Sequence, residues 1–487
     1  MNKQIRVRYA PSPTGYPHVG NIRAALFNWL FARHNGGSFL VRIEDTDRTR
    51  FVEGAVEAIL DGLRWLGLDW DEGPEKGGTY GPYFQSERLE KYQAAAERLI
   101  ADGFAYRCTC SSERLEALRT AQTAAKLPPG YDRHCRDRCD ITGEVVNSVV
   151  RFKVPLEGST TFSDLIRGEV TFNNSLLDDF VLLKSDGFPT YHLANIVDDH
   201  AMKISHVIRG EEWLSSAPRH LMLYEALGYE PPLFAHLPMI LGTDRSKLSK
   251  RHGAVSIIDY KEQGYLPETM INFLSLLGWS LDDKTDLMSI NQIIDNFSID
   301  RVSKTAAIFN VEKLDWMNGV YIRELSLDEF TDRSLPFLAA GVPESATYDR
   351  DYVKNALALL QERVKKLGEL RDQPELTHFF FNDNLEYLPA ELVGKKMTST
   401  GTLTALEAAL TKIESMPEFT VETMETALRA LAEDLELKPG QLFGGLRVAV
   451  TGLNVSPPLF ETMAVLGRTR TVNRIQAAVA KMRQLPE

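Results

Sequence analysis

The chain has 487 residues, 44% of them apolar and 25% charged, and this ordinary globular composition excludes disordered and fibrous proteins. No apolar run reaches the roughly 18 residues of a membrane-spanning helix, and the N-terminal segment lacks the apolar core of a secretory signal. We therefore expect a cytoplasmic protein of about three domains. The net charge of −12 argues only weakly against nucleic-acid binding, because a local basic surface suffices for phosphate contacts.

The first 50 residues predict a strand, a loop, a helix and a second strand. Ile5, Val7 and Tyr9 alternate with basic residues, which is the period of a strand. From His18 to His34 the apolar positions recur at helical spacing, and an apolar run at Phe39–Val41 starts a second strand. A strand–helix–strand unit of this size implies parallel strands and an α/β sheet.

The middle of the chain predicts an interruption of this α/β pattern. Residues from about 80 to 205 contain short strand-like runs and all the cysteines, so we interpret them as an α+β insertion. Strand and helix then alternate again, from Ile204–Arg209 to Leu233–Leu241. The fold class predicted for residues 1–325 is a Rossmann-like parallel-sheet domain, which includes the insertion and a final segment over about 242–325.

The last third of the chain predicts only helices. Apolar stripes at helical spacing run through Val353–Leu367, Leu403–Ile413 and Val421–Leu431, and strand signals are rare. We therefore predict one or more all-helical domains over residues 326–487. Arg468, Arg470 and Arg474 lie in a locally basic part of this region and suit phosphate contacts.

The segment Pro11–Asn21, PSPTGYPHVGN, lies between the first predicted strand and helix, at the sheet edge where α/β proteins bind ligands. Gly15 and Gly20 allow backbone to approach a ligand closely. His18 lies near the helix start, where the helix dipole favours anions, and a histidine there can donate a hydrogen bond to a phosphate. The alternative is a proline- and glycine-containing loop with a capping histidine.

The segment Lys247–Gly253, KLSKRHG, carries three cations and the small polar residue Ser249 on a predicted loop. Such a loop suits a polyphosphate, because a lysine is a mobile point charge that can follow a phosphate. The alternative is a basic surface loop.

The four cysteines form two pairs, Cys108 with Cys110 and Cys135 with Cys139. Two such pairs about 25 residues apart suit a tetrahedral zinc ion, and four cysteines are the simplest ligand set. The alternative is a set of reduced thiols without a metal.

PHVGN and KLSKR together resemble the paired nucleotide-binding signatures of class I aminoacyl-tRNA synthetases. RVRYAPSPTGYPHVGN followed by FLVRIEDTD is similar to the glutamyl and glutaminyl branch, and the helical last third makes the whole chain resemble the bacterial glutamyl-tRNA synthetases. Asn21 stands where the general class signature has a second histidine.

The resemblance implies an enzyme that makes glutamyl-adenylate from glutamate and Mg²⁺-bound ATP, and then passes the glutamyl group to tRNA(Glu). Activation is expected to need bound tRNA, and the enzyme is expected to be a monomer. The resemblance makes His18, Lys247 and Lys250 the catalytic residues. The residues implied in ATP binding are Pro11, Ser12, Gly15, His18, Gly20, Asn21, Glu212, Lys247, Ser249 and Lys250. The residues implied in glutamate binding are Arg8, Ser12, Glu44, Tyr191, Asn195 and Arg209.

The resemblance also bears on the metal site. Related synthetases follow the first cysteine pair with Cys-x-His, and this chain has Asp137 at the histidine position after Cys135. Asp137 is therefore the implied fourth ligand of one structural Zn²⁺, with Cys139 or Tyr131 as alternatives, because some relatives use a tyrosine four residues before the third cysteine.

Three other functions fit the sequence less well than that of a glutamyl-tRNA synthetase. A glutaminyl-tRNA synthetase would end in β-barrels, whereas this chain ends in predicted helices. The short glutamyl-queuosine synthetase lacks the last third altogether. A tRNA-binding regulator without activity would not need His18, Glu44 and Lys250.

Overall fold

A computed structural model describes residues 4–138, 148–248 and 256–484. The chain divides into two compact units, one made of Met1–Lys261 with Pro267–Val311 and the other of Glu262–Leu266 with Glu312–Glu487. Residue 325, the predicted domain boundary, lies between two helices of the second unit. Within the described ranges, no helix is both long and apolar enough to cross a membrane.

The first unit mixes strands and helices. Its elements up to the middle of the unit are β1 (Arg6–Tyr9), α1 (Val19–His34), β2 (Ser38–Val41), α2 (Ala55–Trp65), α3 (Leu89–Ala101), β3 (Ala105–Cys108), α4 (Ser112–Ala124), β4 (Val149–Phe152), β5 (Ser159–Asp164), β6 (Gly168–Asn173) and β7 (Val181–Leu183). The remaining elements are α5 (Tyr191–Ala201), β8 (His206–Gly210), α6 (Ala217–Ala226), β9 (Leu233–Leu237), β10 (Ile240–Leu241), α7 (Ile257–Glu262), α8 (Pro267–Leu276), α9 (Ile290–Asn296) and β11 (Ala307–Ile308).

Parallel pairs form the centre of this unit. β1 pairs with β2 and β8 pairs with β9, both in parallel, and the Ser205 N–H donates to the Arg6 carbonyl oxygen at 2.9 Å, which links β1 to the start of β8. β5 and β6 form an antiparallel hairpin that joins the edge of β9, in the order β6-β5-β9-β8. Inside the predicted insertion, β3, β4 and β7 form a separate antiparallel sheet.

β1 is buried on both faces, although its sequence alternates apolar and basic residues. Val7 and Tyr9 pack in the core, while each of the two arginines is itself buried and pairs with a carboxylate. Arg6 pairs with Glu72 at 2.8 Å, and Arg8 pairs with a carboxylate described below. A buried charge needs such a partner, so the basic positions of this strand are part of the interior.

The second unit contains only helices among its described residues. They are α10 (Val311–Glu324), α11 (Leu327–Gly341), α12 (Arg350–Ala358), α13 (Glu369–Asp372), α14 (His378–Phe381), α15 (Ser399–Ser415), α16 (Val421–Asp434), α17 (Pro439–Thr451) and α18 (Leu459–Met482). Gly467, with φ +78°, interrupts α18. One apolar core includes Leu266, together with Ile322 of α10, and extends through the later helices to Met482 at the end of the unit.

The stripe Val353–Leu367 does not form one helix, which corrects the sequence interpretation. α12 ends at Ala358, although the stripe residues beyond it are still buried. The N–H groups of Leu367 and Gly368 donate to the carbonyl oxygens of Gly264 and Gln263, at 3.0 and 3.2 Å, so they do not continue a helical ladder.

Arg470 and Arg474 are structural residues in this unit, which corrects the expectation that they suit phosphate contacts. Arg474 is only 4% exposed and donates to the carbonyl oxygens of Val450 and Phe379, at 2.6 and 2.7 Å. Arg470 donates to the Asp383 carboxylate and to the Phe380 carbonyl oxygen, both at 2.7 Å. Most of their donors therefore bind acceptors within the unit itself.

Candidate active site

A cavity of about 800 Å³ lies at the C-terminal ends of the parallel strands β1, β2 and β8. Its wall also includes the loop after β1 and the first turns of α1 and α5. Ligands of α/β proteins bind at this edge of a parallel sheet, because strand ends and helix N-termini converge there. The cavity is therefore the candidate active site.

His18 is the N-cap of α1 and lines the cavity. Its Nδ1 accepts hydrogen bonds from the backbone N–H groups of Gly20 and Asn21, at 3.1 and 3.4 Å. Burial lowers the pKa of His18, while the Glu212 carboxylate opposes this shift and the Lys247 ammonium adds to it. A neutral ring that accepts at Nδ1 carries its proton on Nε2, so His18 can donate one hydrogen bond to an anion at the helix N-terminus.

Arg8 and Glu44 belong to a buried network of ion pairs. Nε and Nη2 of Arg8 donate to the Asp199 carboxylate over 3.1 to 3.3 Å. Arg42 donates to Asp199 at 2.7 Å and to Glu44 at 3.0 Å. Burial raises the pKa of Glu44, although Arg42 and Arg8 stabilise its charged form. Nη1 of Arg8 has no acceptor within the described ranges, so it can bind a carboxylate of a ligand.

Arg209, in β8, is held by four neighbours. Nε donates to His236 Nε2 at 3.1 Å, and Nη2 donates to the Trp213 carbonyl oxygen at 3.3 Å. Nη1 donates to Tyr191 Oη at 2.9 Å and lies 3.3 Å from His220 Nδ1. These bonds restrict the orientation of a planar group that binds carboxylates through parallel N–H donors.

The histidines around Arg209 are neutral. Burial lowers the pKa of His192 to about 4 and that of His220 well below its usual value. It also lowers the pKa of His236, although the hydrogen bond with Asp164 opposes this shift. Neutral rings can accept hydrogen bonds from a guanidinium, whereas charged rings would repel it.

The structure brings most of the predicted site residues to this cavity. Its lining includes Arg8, Pro11, Ser12, His18, Gly20, Asn21, Glu44, Tyr191, Asn195, Arg209 and Glu212. Gly15 and Lys247 are described but do not line it. Ser249 and Lys250 lie outside the described residues.

Sequence reasoning missed several residues at or behind the cavity wall. Lys184 and Gln85 line the cavity without belonging to a motif, and Thr46 lines it as a member of FLVRIEDTD to which no role had been assigned. Asp164 and His236 lie behind Arg209, and no local pattern marks them, because three separate strands bring them together.

A second cluster contains Cys108, Cys110 and Cys135, whose sulfur atoms lie within 4.8 Å of one another. Tyr131 Oη lies 3.3 Å from the Cys108 sulfur and 3.5 Å from the Cys110 sulfur, and it accepts from the Cys135 N–H at 3.0 Å. Three sulfur atoms and one phenol oxygen provide four donors, the coordination number of structural zinc. The cluster can therefore hold a metal.

Of the other two candidates for a fourth ligand, the structure describes only Asp137. Asp137 is exposed, and the donor atoms found within 4.8 Å of one another among the described residues do not include its carboxylate. Cys139 lies outside the described residues.

Comparison with known proteins identifies the family. Residues 4–316 match the family described as tRNA synthetases class I (E and Q), catalytic domain, and residues 329–479 match an anticodon binding domain. A glutamate–tRNA ligase from Dehalococcoides mccartyi is 64% identical over 488 residues, with 100% of both chains covered. The chain belongs to the glutamate–tRNA ligases.

Further relatives of this ligase family agree. A glutamate–tRNA ligase from Moorella thermoacetica is 47% identical, with 99% of both chains covered. The crystal structure of a glutamate tRNA ligase from Elizabethkingia meningosepticum, in complex with its amino acid, has a TM-score of 0.88 and 35% identity, and covers 98% of this chain and 100% of that one. The predicted fold class and family are confirmed: a class I synthetase domain with parallel strands precedes a helical anticodon domain.

Proposed function

We propose that the cavity at β1, β2 and β8 forms glutamyl-adenylate from glutamate and ATP, and that the chain then transfers the glutamyl group to the terminal adenosine of tRNA(Glu). The observation that carries this proposal is that one cavity joins a histidine-capped helix N-terminus, which suits phosphates, to arginines and a carboxylate, which suit an amino acid. Mg²⁺ enters with ATP as part of the substrate.

The chemistry needs positioned charges and no side-chain nucleophile. An oxygen of the glutamate α-carboxylate attacks the α-phosphorus, and the bond to pyrophosphate breaks. A ribose hydroxyl of tRNA then attacks the carbonyl carbon of the adenylate, and AMP leaves with the electron pair of the broken bond. The protein accelerates both steps by orienting the reactants and stabilising negative charge.

The ATP side of the site is assigned to the N-terminus of α1 and the KLSKR segment. His18 donates from Nε2 to a phosphate, while Gly20 and Asn21 hold its ring through Nδ1. The Lys247 ammonium acts electrostatically on His18, which supports the assignment of both residues to the phosphates of ATP. Lys250 is assigned to the stabilisation of the leaving pyrophosphate. The remaining assigned residues are Pro11, Ser12, Gly15, Glu212 and Ser249.

The glutamate side is assigned to the buried arginines and their neighbours. Arg209 and Arg8 each bind a carboxylate, and Glu44 faces the ammonium group. Asn195 supports this arrangement, because its amide oxygen fits 3.3 Å from the Nη2 atoms of Arg8 and Arg42. Tyr191 completes the pocket beside Arg209, and Ser12 orients the Glu44 backbone by donating to its carbonyl oxygen at 3.0 Å.

The test is Arg209→Lys in tRNA(Glu) aminoacylation. A lysine offers a point charge in place of a planar fork, so the KM for glutamate should rise by about 10- to 100-fold. Arg64→Lys, which changes an exposed arginine bound to Asp61, is the matched control and should leave this KM unchanged. An unchanged KM in Arg209→Lys would remove Arg209 from the pocket.

The cysteine cluster is assigned to one structural Zn²⁺ per chain, bound by Cys108, Cys110, Cys135 and Tyr131. The distances from Tyr131 Oη to two of the sulfur atoms support Tyr131 over Asp137 as the fourth ligand. The ion would tie the end of β3 to the loop that carries Tyr131, and so stabilise the insertion.

Metal analysis separates these ligands. In protein purified without added metal, Tyr131→Phe should lower the zinc content well below one ion per chain, because phenylalanine removes one donor. Asp137→Asn is the control and should keep the full zinc content. Full zinc in Tyr131→Phe together with loss in Asp137→Asn would contradict the assignment.

The helical unit is assigned to tRNA recognition, since residues 329–479 match an anticodon binding domain. Unpaired anticodon bases would be read there by stacking and by hydrogen bonds to their edges. The monomeric state and the cytoplasmic location remain predictions, which size-exclusion chromatography and cell fractionation would test.

A further inference from the structure

We propose that Asp164 and His236 are positioning residues for Arg209, which they orient by fixing the tautomer of His236. The inference rests on the proposed function, in which Arg209 binds a carboxylate of glutamate. Neither residue lines the cavity, so both act through Arg209.

Three neighbouring strands align these groups. β5, β9 and β8 lie side by side, and His236 in β9 stands in register with Arg209 in β8. Asp164, the last residue of β5, reaches His236 from the other side. Asp164, His236 and Arg209 are only 2%, 0% and 6% exposed as residues, so water does not compete for their hydrogen bonds.

The Asp164 carboxylate determines where the His236 ring carries its proton. Oδ1 accepts from the backbone N–H groups of Ile166, Arg167 and His236, at 2.9, 2.8 and 3.3 Å. Oδ2 lies 2.6 Å from His236 Nδ1. An ionised carboxylate can only accept, so Nδ1 must be the protonated nitrogen.

The other ring nitrogen then faces Arg209 as an acceptor. His236 Nε2 lies 3.1 Å from Arg209 Nε, which can only donate. This bond anchors the inner nitrogen of the guanidinium and directs the outer two nitrogens toward the cavity. The hydrogen bonds from His236 to Asp164 and from Arg209 to His236 can both form only when the proton is on Nδ1.

Asp164→Asn should reverse this order. The three backbone N–H groups require an oxygen at the Oδ1 position, so the amide nitrogen must replace Oδ2 and face Nδ1 of His236. The ring then carries its proton on Nε2, and two donors, Nε2–H and Nε–H of Arg209, oppose each other. Arg209 turns away, and the KM for glutamate should rise by about 10- to 100-fold while the KM for ATP changes little.

The test uses the intact chain and three readouts. Aminoacylation gives the KM values for glutamate and ATP, thermal unfolding reports folding, and ¹⁵N NMR of the histidine rings reports the tautomer of His236. Asp282→Asn is the matched control, since Asp282 also accepts from two backbone N–H groups, of Lys284 and Thr285, but has no hydrogen bond with a histidine in the part of the chain that the structure describes. It should leave the KM for glutamate unchanged.

Variants of His236 provide a second, independent test. Glutamine can place an oxygen near the position of Nε2 and accept from Arg209, whereas methionine offers no comparable acceptor. His236→Gln should therefore keep the KM for glutamate within about threefold of the parent, and His236→Met should raise it about tenfold or more. Asp164→Asn should add little in the His236→Gln background, because no tautomer remains to be reversed. This pair decides the question even where Asp164→Asn does not fold.

The outcomes are distinguishable. A raised KM in Arg209→Lys with an unchanged KM in folded Asp164→Asn, or equal KM values in His236→Gln and His236→Met, would overturn the positioning roles and leave the glutamate site intact. An unchanged KM in Arg209→Lys would overturn the role of Arg209, and the positioning roles with it. Loss of folding in both His236 variants, with NMR showing Nε2 protonated in the parent chain, would also overturn the inference.

Discussion

At the scale of single residues, the role of His18 combines a structural and a chemical part. Its Nδ1 caps α1, and its Nε2–H remains for a ligand. The sequence motif predicts both parts as alternatives, a capping histidine or a phosphate donor. The geometry makes them compatible, because the two ring nitrogens serve different partners.

His18→Asn should separate the two parts. Asparagine is a good N-cap, so stability should stay within about 0.5 kcal/mol of the parent, while the lost Nε2–H should lower tRNA-dependent activation by about 100-fold. His18→Ala should lose both the N-cap and the phosphate donor, and its free energy of unfolding should fall by about 1 kcal/mol. Urea unfolding and ATP–pyrophosphate exchange with tRNA measure the two effects. Activation near the parent rate in His18→Asn would contradict the phosphate contact.

The residues that the sequence could not reveal are those joined by long-range packing. Arg8, Glu44 and Arg209 come from the family resemblance, but Asp164 and His236 belong to no motif. His236 lies 72 positions after Asp164, and only the pairing of β5 with β9 brings them together. Sequence reasoning without an alignment has no signal for such a contact.

At the scale of elements, local patterns predict the positions of most helices and strands near the site. The helix predicted over His18–His34 is α1, Val19–His34. The run Leu233–Leu241 splits into β9 and β10, because Pro238 has no N–H for a ladder hydrogen bond. The burial of both faces of β1 could not be predicted, since the partner carboxylates of its arginines are distant in sequence.

The first turn of α1 depends on the absence of a side chain at Gly20. A Cβ there would lie 3.1 and 3.2 Å from His18 Cε1 and Nδ1, so Gly20→Ala should displace the ring. We expect kcat/KM for ATP to fall about tenfold or more, with a small loss of stability, because the cap and the phosphate donor move together. Activation kinetics measure this.

The control for this glycine is Gly440→Ala in α17, where an added Cβ meets no atom within 4 Å. Alanine favours a helix over glycine, so this variant should keep the parent kcat/KM and be equally or more stable. If Gly20→Ala also kept the parent value, the ring of His18 would not depend on the close approach of this glycine.

At the scale of the whole molecule, the buried histidines link stability to pH. His192, His220 and His236 have lowered pKa values in the folded chain, so below about pH 6.5 the unfolded chain binds more protons on these rings than the folded chain does. His192, with its pKa of about 4, should therefore cost up to about 1.4 kcal/mol of stability per pH unit as the pH falls from 6.5 towards 4, and His220 and His236 should add to this loss in the same direction.

Urea unfolding at pH 7.0, 6.0 and 5.0 measures this slope. His192→Gln should reduce the slope by the share of one histidine, since glutamine does not titrate. His134→Gln, which changes an exposed histidine, is the control and should leave the slope closer to that of the parent. Stability that does not change between pH 7 and 5 would contradict the neutral, buried state of these rings.

The overall division of the chain follows from composition and periodicity, but the boundary between the units depends on packing. The sequence changes from mixed strand and helix patterns to helical patterns alone near residue 325, after α10. In the structure, Ile322 of α10 belongs to the core of the helical unit, and Asn318 accepts from the Leu266 N–H at 2.9 Å within the same unit. The sequence of α10 shows an ordinary amphipathic pattern. Such a pattern does not indicate which of the two cores the helix belongs to.

Two truncations should therefore behave differently. A chain that ends after Glu324 keeps α10 but removes the helical core, so Ile322 loses apolar partners worth about 2 kcal/mol. A chain that ends after Asn310 has no such helix and should unfold in one cooperative transition. The longer fragment should bind a hydrophobic dye or aggregate.

Both fragments should charge tRNA(Glu) poorly, because the anticodon-binding unit is missing. Equal dye binding by the two fragments would show that α10 does not depend on the helical core, and charging at the parent rate would contradict the role of that unit in tRNA recognition.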